Sequence, residues 1–352
     1  MALMAVERVF LAEPRGFCAG VDMAIKALTW MTRIFPGPVY CYHEIVHNEW
    51  VVKAFERVDV VFVDDIAQVP EGAPVMLSAH GSAPEVVEAA EKLAAVVIDA
   101  VCPLVTKVHH EVRNMSRKGY DIIYIGHEGH DEAVGTVAEA PQAIHLVEPE
   151  QGLDDYSPSD PEKVALVAQT TLGLYEWEQV LQDASARFPD LKTARKSDLC
   201  YATTNRQEVV EQLAGKCDLI LVVGSPNSSN TQALVRVARE NGVTAHRIDS
   251  AKDIRPEWLE GVATVGLTAG ASAPDHLVQE VIDRLRPEQG FELWSATTEE
   301  EYFPLPPQLR SFVQTLQTLV EAGVTASRPG EGSWLERDRE WTATEALDLI
   351  ST

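Results

Sequence analysis

Lys196-Ser-Asp-Leu-Cys-Tyr-Ala-Thr-Thr-Asn-Arg-Gln-Glu-Val-Val-Glu-Gln-Leu213 is the stretch on which the reading of the fold turns. Cys200 stands just ahead of a helix start, where Thr204 and Gln207 have the T-x-x-Q spacing of a capping box and Val209, Val210 and Leu213 open an apolar face. Two other places share this context. Cys18, in Pro14-Arg-Gly-Phe-Cys-Ala-Gly20, precedes an apolar-periodic run through Ile25, Leu28 and Met31, and Cys102, in Asp99-Ala-Val-Cys-Pro-Leu104, precedes Val105, Val108 and Val112. A helix N-terminus favours thiolate, so lowered pKa values are expected at all three, and thiolate is the form that binds metal.

The cysteines stand 84 and 98 residues apart, and the segments between them follow one order. After Cys18 come a helix, a strand at 38–44, a helix at 49–57, strands at 60–64 and 74–79, a helix at 84–93 and a strand at 96–100. After Cys102 come a helix to Lys118, a strand at 121–126, a short helix near Ala133, strands at 144–147 and 164–168, and a helix at 174–187. After Cys200 come strands at 218–224, 244–248 and 263–267 and helices at 231–241 and 275–285. This pattern predicts an α/β protein of three pseudo-threefold-related lobes, spanning 1–101, 102–199 and 200–290, with 291–352 as a C-terminal segment. In that segment 291–296 reads as a strand, and the end, with Trp334 and Trp341, reads as a docked helix or a mobile tail.

A chain of 352 residues with 45% hydrophobic and 24% charged content has the composition of a globular protein of more than one core. The N-terminus has no basic region followed by a continuous apolar segment, and the longest apolar runs are strand-sized, so a cytoplasmic setting is expected. Five cysteines without a C-x-x-C pair argue for metal or catalysis over a disulfide framework. Lys and Arg number 29 against 54 Asp and Glu, a formal charge of −25, which argues against nucleic acid and anionic membrane as partners.

Two strands of each lobe end in polar or glycine-rich tips: 43–48 and 78–81, 126–132 and 169–172, and 224–230 and 268–272. Ligands of open α/β sheets sit at the carboxyl ends of strands, where helix N-termini also direct N–H groups at anions. His, Ser, Thr and Asn at these tips suit a phosphate or diphosphate held by neutral donors. His47, His80 and His130 are the candidate imidazoles, and Glu132 is the carboxylate best placed to donate a proton. Each has a plainer reading: a core histidine, a helix N-terminal Glu, and, for Ser228, Ser229 and Asn230, ordinary N-capping. Three cysteines could leave one iron of a cubane cluster open to substrate, against the plainer reading of buried inert thiols; Cys41 and Cys217 lack the helix-start context and read as structural.

Pro14-Arg-Gly-Phe-Cys-Ala-Gly-Val21, His43-Glu-Ile-Val-His-Asn48, Ser78-Ala-His-Gly81, Gly126-His-Glu-Gly-His130 with Glu132, Gln169-Thr-Thr-Leu172, Asp198-Leu-Cys-Tyr-Ala-Thr-Thr-Asn-Arg-Gln207, Asn227-Ser-Ser-Asn230 and Thr268-Ala-Gly-Ala-Ser-Ala-Pro274 together closely resemble the 4-hydroxy-3-methylbut-2-enyl diphosphate reductase family, the last step of the methylerythritol phosphate route to isoprenoids. The resemblance covers about residues 8 to 310 and departs at Asp131, where proline is expected, and at Pro226, where lysine is common. It implies one 4Fe-4S cluster with Cys18, Cys102 and Cys200 as its three cysteine ligands. It further implies that His47, His80, His130, Ser228, Ser229, Asn230 and Ser272 surround the substrate's diphosphate, that Thr170 orients the hydroxyl end and that Glu132 feeds protons. The implied reaction removes the allylic hydroxyl as water with two electrons from a ferredoxin or flavodoxin type donor and two protons, giving isopentenyl and dimethylallyl diphosphates. A non-redox iron-sulfur hydro-lyase and an iron-sulfur or phosphate-ligand sensor are the competing readings.

Overall fold

The computed structural model describes residues 6–194, 198–322 and 335–351; Lys196, Ser197 and Trp334 lie outside the described residues. In chain order the elements are β1 (Arg8–Glu13), α1 (Ala19–Ile34), β2 (Val39–Tyr42), α2 (Glu49–Glu56), β3 (Val60–Val63), β4 (Pro74–Leu77), α3 (Pro84–Leu93) and β5 (Val96–Asp99). Next come α4 (Pro103–Arg117), β6 (Asp121–Ile125), α5 (Asp131–Ala138), β7 (Ile144–Val147), β8 (Val164–Ala168), α6 (Leu174–Arg187) and β9 (Lys192–Thr193). The chain continues with α7 (Tyr201–Ala214), β10 (Leu219–Val223), α8 (Ser229–Glu240), β11 (Thr244–Ile248), β12 (Thr264–Ala269), α9 (Asp275–Leu285), β13 (Phe291–Ser295), α10 (Pro307–Glu321) and α11 (Ala343–Ser351). No helix among the described residues is long and apolar enough to cross a membrane.

The strands form three separate sheets, ordered β3-β2-β4-β5, β7-β6-β8-β9 and β11-β10-β12-β1-β13, with parallel pairing throughout. Parallel strands covered on both faces must be apolar on both, and β8 (VALVA) and β10 (LILVV) are buried at every position. In each sheet the first two places in the order go to the second and first strands of the run, so the direction of winding reverses between β2 and β4, β6 and β8, and β10 and β12. The polar tips follow these six strands, at the crevices where open α/β sheets take ligands.

Strand β1, which the sequence reading passed over, lies in the five-stranded sheet, beside β12 and in the fourth place that β5 and β9 hold in theirs. Cys18, Cys102 and Cys200 therefore each follow a fourth strand, and Cys18 belongs with the sheet of β10 to β13 although it stands first in sequence. The backbone fastens it there, with Cys18 N–H donating to Ala271 O at 3.2 Å. The chain forms two compact units, Met1–Cys18 with Leu104–Glu300, and Ala19–Pro103 with Glu301–Thr352. The first holds the sheets of β6 to β9 and of β1 with β10 to β13; the second holds the sheet of β2 to β5, α1, α10 and α11.

Within the second unit the C-terminal helix is docked. The fully buried Lys26 of α1 donates from Nζ to the Asp338 backbone carbonyl at 2.6 Å and pairs with Asp22 at 3.1 Å and with the Asp338 carboxylate at 3.3 Å. Asp22 in turn accepts from Ala343 N–H at 2.6 Å at the start of α11, and Trp341 meets Trp30 edge to face. A buried ammonium needs every one of these partners, because its desolvation is repaid only by close and complete pairing. Lys26→Met leaves Asp338 buried without its cation, and the unfolding free energy is expected to fall by roughly 3 kcal/mol. A thermal melt followed by circular dichroism reads the change; an unaltered midpoint would mean that α11 is held by its apolar contacts alone.

Candidate functional site

Glu132, the second residue of α5, is 2% exposed. Its two carboxyl oxygens are held by one residue of the neighbouring tip: Thr170 N–H donates to Oε1 at 2.6 Å and Thr170 Oγ1 donates to Oε2 at 2.9 Å. Burial pushes its pKa up to about 7, with the Thr170 hydrogen bonds opposing the rise and the charge of Asp198 adding to it. A carboxyl so placed holds a proton near neutral pH and can release it, which is the requirement for a general acid. His130 caps α5, its Nδ1 accepting from Glu132 N–H at 3.2 Å, so a neutral ring carries its proton on Nε2.

Asp198, buried beside β8, accepts from Ala168 N–H at 3.2 Å and is raised to about 7 by burial and then by the charge of Glu111, with Lys107 opposing. Two residues on, Cys200 is the N-cap of α7, its sulfur accepting from Thr203 N–H at 3.3 Å. The expectation of a lowered thiol pKa is corrected here. Burial, then the neighbouring Cys18, raises Cys200 to about 11, and two contacts from Thr203 do not offset the loss of water. The helix also begins earlier than the proposed capping box: Gln207 leaves the helix start to accept from Leu174 N–H at 2.8 Å and donate to Leu172 O at 3.1 Å. Arg206, fully buried, donates to Gly16 O at 2.8 Å, Ala202 O at 3.0 Å and Glu299 at 2.8 Å, joining α7 to the loop that carries Cys18.

The tips of the two sheets in this unit are joined directly. Gln169, fully buried, accepts from His127 N–H at 3.0 Å and donates to Thr171 Oγ1 at 2.9 Å and Ser229 Oγ at 3.2 Å. Ser228 caps α8, accepting from Thr231 N–H at 3.3 Å, and Asn230 Oδ1 accepts from Ala271 N–H at 2.9 Å, while its buried Nδ2 has no acceptor among the described residues. Thr231 fits only because Gly224 and Gly270 lack side chains: a Cβ would come within 2.3 Å and 2.1 Å of its Oγ1. Ser272 is buried on the same tip as Ala271. The structure thus brings Glu132, Thr170, His130, Ser228, Ser229, Asn230 and Ser272 onto adjoining tips of one unit.

In the second unit His47 and His80 stack, with ring centroids 3.8 Å apart, and His47 Nδ1 lies 3.4 Å from Glu44. Asn48 beside them caps α2 through Val51 N–H, and Cys102 N–H donates to Ala79 O at 3.0 Å. The one 4Fe-4S cluster with three cysteine ligands, expected on Cys18, Cys102 and Cys200, is corrected: among the described residues, the ligand atoms gathered closely enough for a single metal ion include those of His47 and His80 and none of the three thiols. Cys41 and Cys217, read as structural, are buried in apolar surroundings that raise both thiols, Cys217 to about 12.

Sequence reasoning did not single out Gln169, Arg206, Glu299 or Asp198 for their own roles. Gln169, Arg206 and Asp198 stood inside motifs already quoted, and a polar residue flanked by core positions was the available signal.

The chain matches the LytB protein family over residues 9–286. It is 49% identical over 309 residues to the 4-hydroxy-3-methylbut-2-enyl diphosphate reductase of Mycolicibacterium paratuberculosis, covering 87% of this chain and 93% of that protein. The reductase of the same description from Mycobacterium leprae is 48% identical over 309 residues, covering 87% and 93%. The structure is similar to that of the E-1-hydroxy-2-methyl-but-2-enyl-4-diphosphate reductase from Plasmodium falciparum, with a TM-score of 0.85, 34% identity and coverage of 88% of this chain and 99% of that one. A second solved structure, (E)-4-hydroxy-3-methyl-but-2-enyl diphosphate reductase, described as the terminal enzyme of the non-mevalonate pathway, gives a TM-score of 0.57, 32% identity and coverage of 80% and 99%.

The raised pKa of Glu132 makes stability depend on pH with a definite sign. Unfolded, the carboxyl loses its proton near its ordinary 4.5; folded, it keeps it until about 7. The protonated group's contribution is therefore complete below about pH 4.5 and is lost as pH rises through 7. Glu132→Gln is expected to remove that loss, raising stability above pH 7 relative to the parent by on the order of 2 kcal/mol and flattening the melting temperature between pH 5 and 7.5. Parallel pH profiles for parent and variant would disprove the assignment.

Proposed function

We propose that this chain, which belongs to the LytB family of 4-hydroxy-3-methylbut-2-enyl diphosphate reductases and is therefore an oxidoreductase of isoprenoid synthesis, removes the allylic hydroxyl of 4-hydroxy-3-methylbut-2-enyl diphosphate as water. The carbon–oxygen bond breaks, one proton leaves with the oxygen, and two electrons with a second proton make a new C–H bond at one end or the other of the allylic system. The products are isopentenyl and dimethylallyl diphosphates. An external electron-transfer protein of ferredoxin or flavodoxin type supplies the electrons. Cys18, Cys102 and Cys200 carry no metal role in this reading.

The observation that carries the reading is the Glu132 carboxyl, buried, raised to about 7 and gripped at both oxygens by Thr170. Hydroxide is a poor leaving group, and a proton delivered to the departing oxygen lowers the barrier; a group with a pKa near the working pH is best matched to that transfer. Thr170, whose hydroxyl touches Glu132, orients the substrate's hydroxyl against it, and His130 fixes the start of the helix that carries Glu132.

The diphosphate is assigned to the tip that opens α8. Ser228 and Ser229 stand at a helix N-terminus, where unsatisfied N–H groups and the helix dipole favour an anion, and the buried Nδ2 of Asn230 is a donor with no acceptor among the described residues. Ser272 and His130 complete the neutral donor set. His47 and His80 are proposed as diphosphate donors on the strength of their motifs alone.

Glu132→Gln keeps the shape of the side chain but cannot supply the proton. With a chemical reductant its kcat is expected to fall on the order of a hundredfold or more while the KM for substrate changes little. Parent-like turnover would move the proton source to an imidazole, a water or the diphosphate itself. Inorganic diphosphate is expected to compete with substrate, and the alcohol lacking diphosphate to bind far more weakly; equal affinity for the alcohol and its diphosphate would contradict the anion site.

A further inference from the structure

Helix α4 departs from the charge balance of the rest of the chain. In a protein of formal charge −25 it carries Lys107, Arg113 and Arg117 against a single carboxylate, Glu111, and Lys118 follows at its end. The helix period explains how these residues are arranged. Val105, Val108, His109 and Val112 are buried, and Lys107, His110, Asn114, Arg117 and Lys118 are exposed. At about 100° per residue the exposed five fall within an arc of about 100° on the side away from the apolar face, over a length of roughly 16 Å.

Two further observations bear on what this face meets. Arg113 is tied down by Glu139 at 2.9 Å, and Arg117 donates to the Arg113 carbonyl at 3.2 Å, so the C-terminal end of the stripe is held in place beside a cavity of about 340 Å³ lined by Arg113, Ser116, Arg117, Glu139 and Gln142. At the other end, Lys107 and Glu111 are charges felt by Asp198, two residues ahead of Cys200, and Asp198 in turn acts on Glu132. The stripe therefore runs from a basic cavity at the surface toward the tips that carry Glu132 and Thr170.

We propose that the exposed basic face of α4, formed by Lys107, His110, Arg117 and Lys118, is the docking surface for a small acidic electron-transfer protein. This rests on the reductase reading above, which requires an external source of two electrons. Charge complementarity selects the partner. Long-range repulsion from a net charge of −25 keeps an acidic protein away from most of the surface, and a local basic stripe is where that repulsion is reversed and the approach is oriented.

The test uses the full-length enzyme with two reductants, reduced ferredoxin and dithionite-reduced methyl viologen. In the triple variant Lys107→Glu, Arg117→Glu, Lys118→Glu, the KM for ferredoxin at low salt is expected to rise about tenfold or more and to lose its dependence on ionic strength, while viologen-driven turnover stays within about twofold of the parent. A control variant with the same change in net charge, Lys53→Glu, Lys92→Glu, Lys252→Glu, is expected to leave the ferredoxin KM near the parent value. An unchanged ferredoxin KM in the α4 variant, or an equal rise in the control, would overturn the docking surface. Absence of viologen-driven turnover in the parent enzyme would instead overturn the reductase reading on which it rests.

Discussion

The site depends on a carboxyl group kept out of water. Glu132 is buried among polar tips, and Thr170 grips it from the backbone and the side chain at once. Two hydrogen bonds are fewer than a buried carboxylate needs to remain ionised, so the group stays protonated to about pH 7. Much of the surrounding structure holds that geometry. His130 sets the start of α5, and Gln169, the residue before Thr170, binds the neighbouring sheet through Ser229. Displacing either tip would separate Glu132 from Thr170 and leave a buried acid without its partner.

The sheet order is what brings such tips together. In each sheet the winding reverses between the two strands whose ends carry the polar motifs, which opens a crevice at their carboxyl ends and leaves the following helices with their N-termini facing it. The same arrangement recurs three times in one chain. In the five-stranded sheet the fourth place is taken by β1 from the far end of the sequence, which fastens the N-terminal segment and carries Cys18 into that sheet. Arg206 ties the same loop to α7, so this buried arginine does the work of a covalent link between distant parts of the chain.

The charge distribution has a parallel logic. Strong overall acidity leaves few places where an acidic partner can approach, and the basic residues of α4 are gathered on one face because the opposite face is committed to the core. The same period that buries Val105, Val108 and Val112 aligns Lys107, His110 and Arg117. In the second unit, by contrast, Lys26 is withdrawn from the surface entirely and spent on Asp22 and Asp338, holding the segment beyond the family match against α1.

By itself the sequence determined the α/β class, the order of helices and strands between the three cysteines, and the polar tips on which the candidate residues lie. These are local matters, set by the apolar period of each segment and by capping and glycine at its ends, and Ser228 at the start of α8 and His130 at the start of α5 are legible in that way. Tertiary structure alone decided the rest. The place of β1 beside β12, the grip of Thr170 on Glu132 and the bonds of Arg206 to Gly16 and Glu299 join residues 38 to 256 positions apart, for which no local pattern exists. It also reversed the expectation for Cys200: a helix N-terminus argues for thiolate, but how far a sulfur is removed from water depends on what packs over it, and there desolvation outweighs the hydrogen bonds. The cluster read from three similar cysteine contexts was overturned by where possible metal-ligand atoms gather among the described residues, which similar surroundings along the chain do not fix.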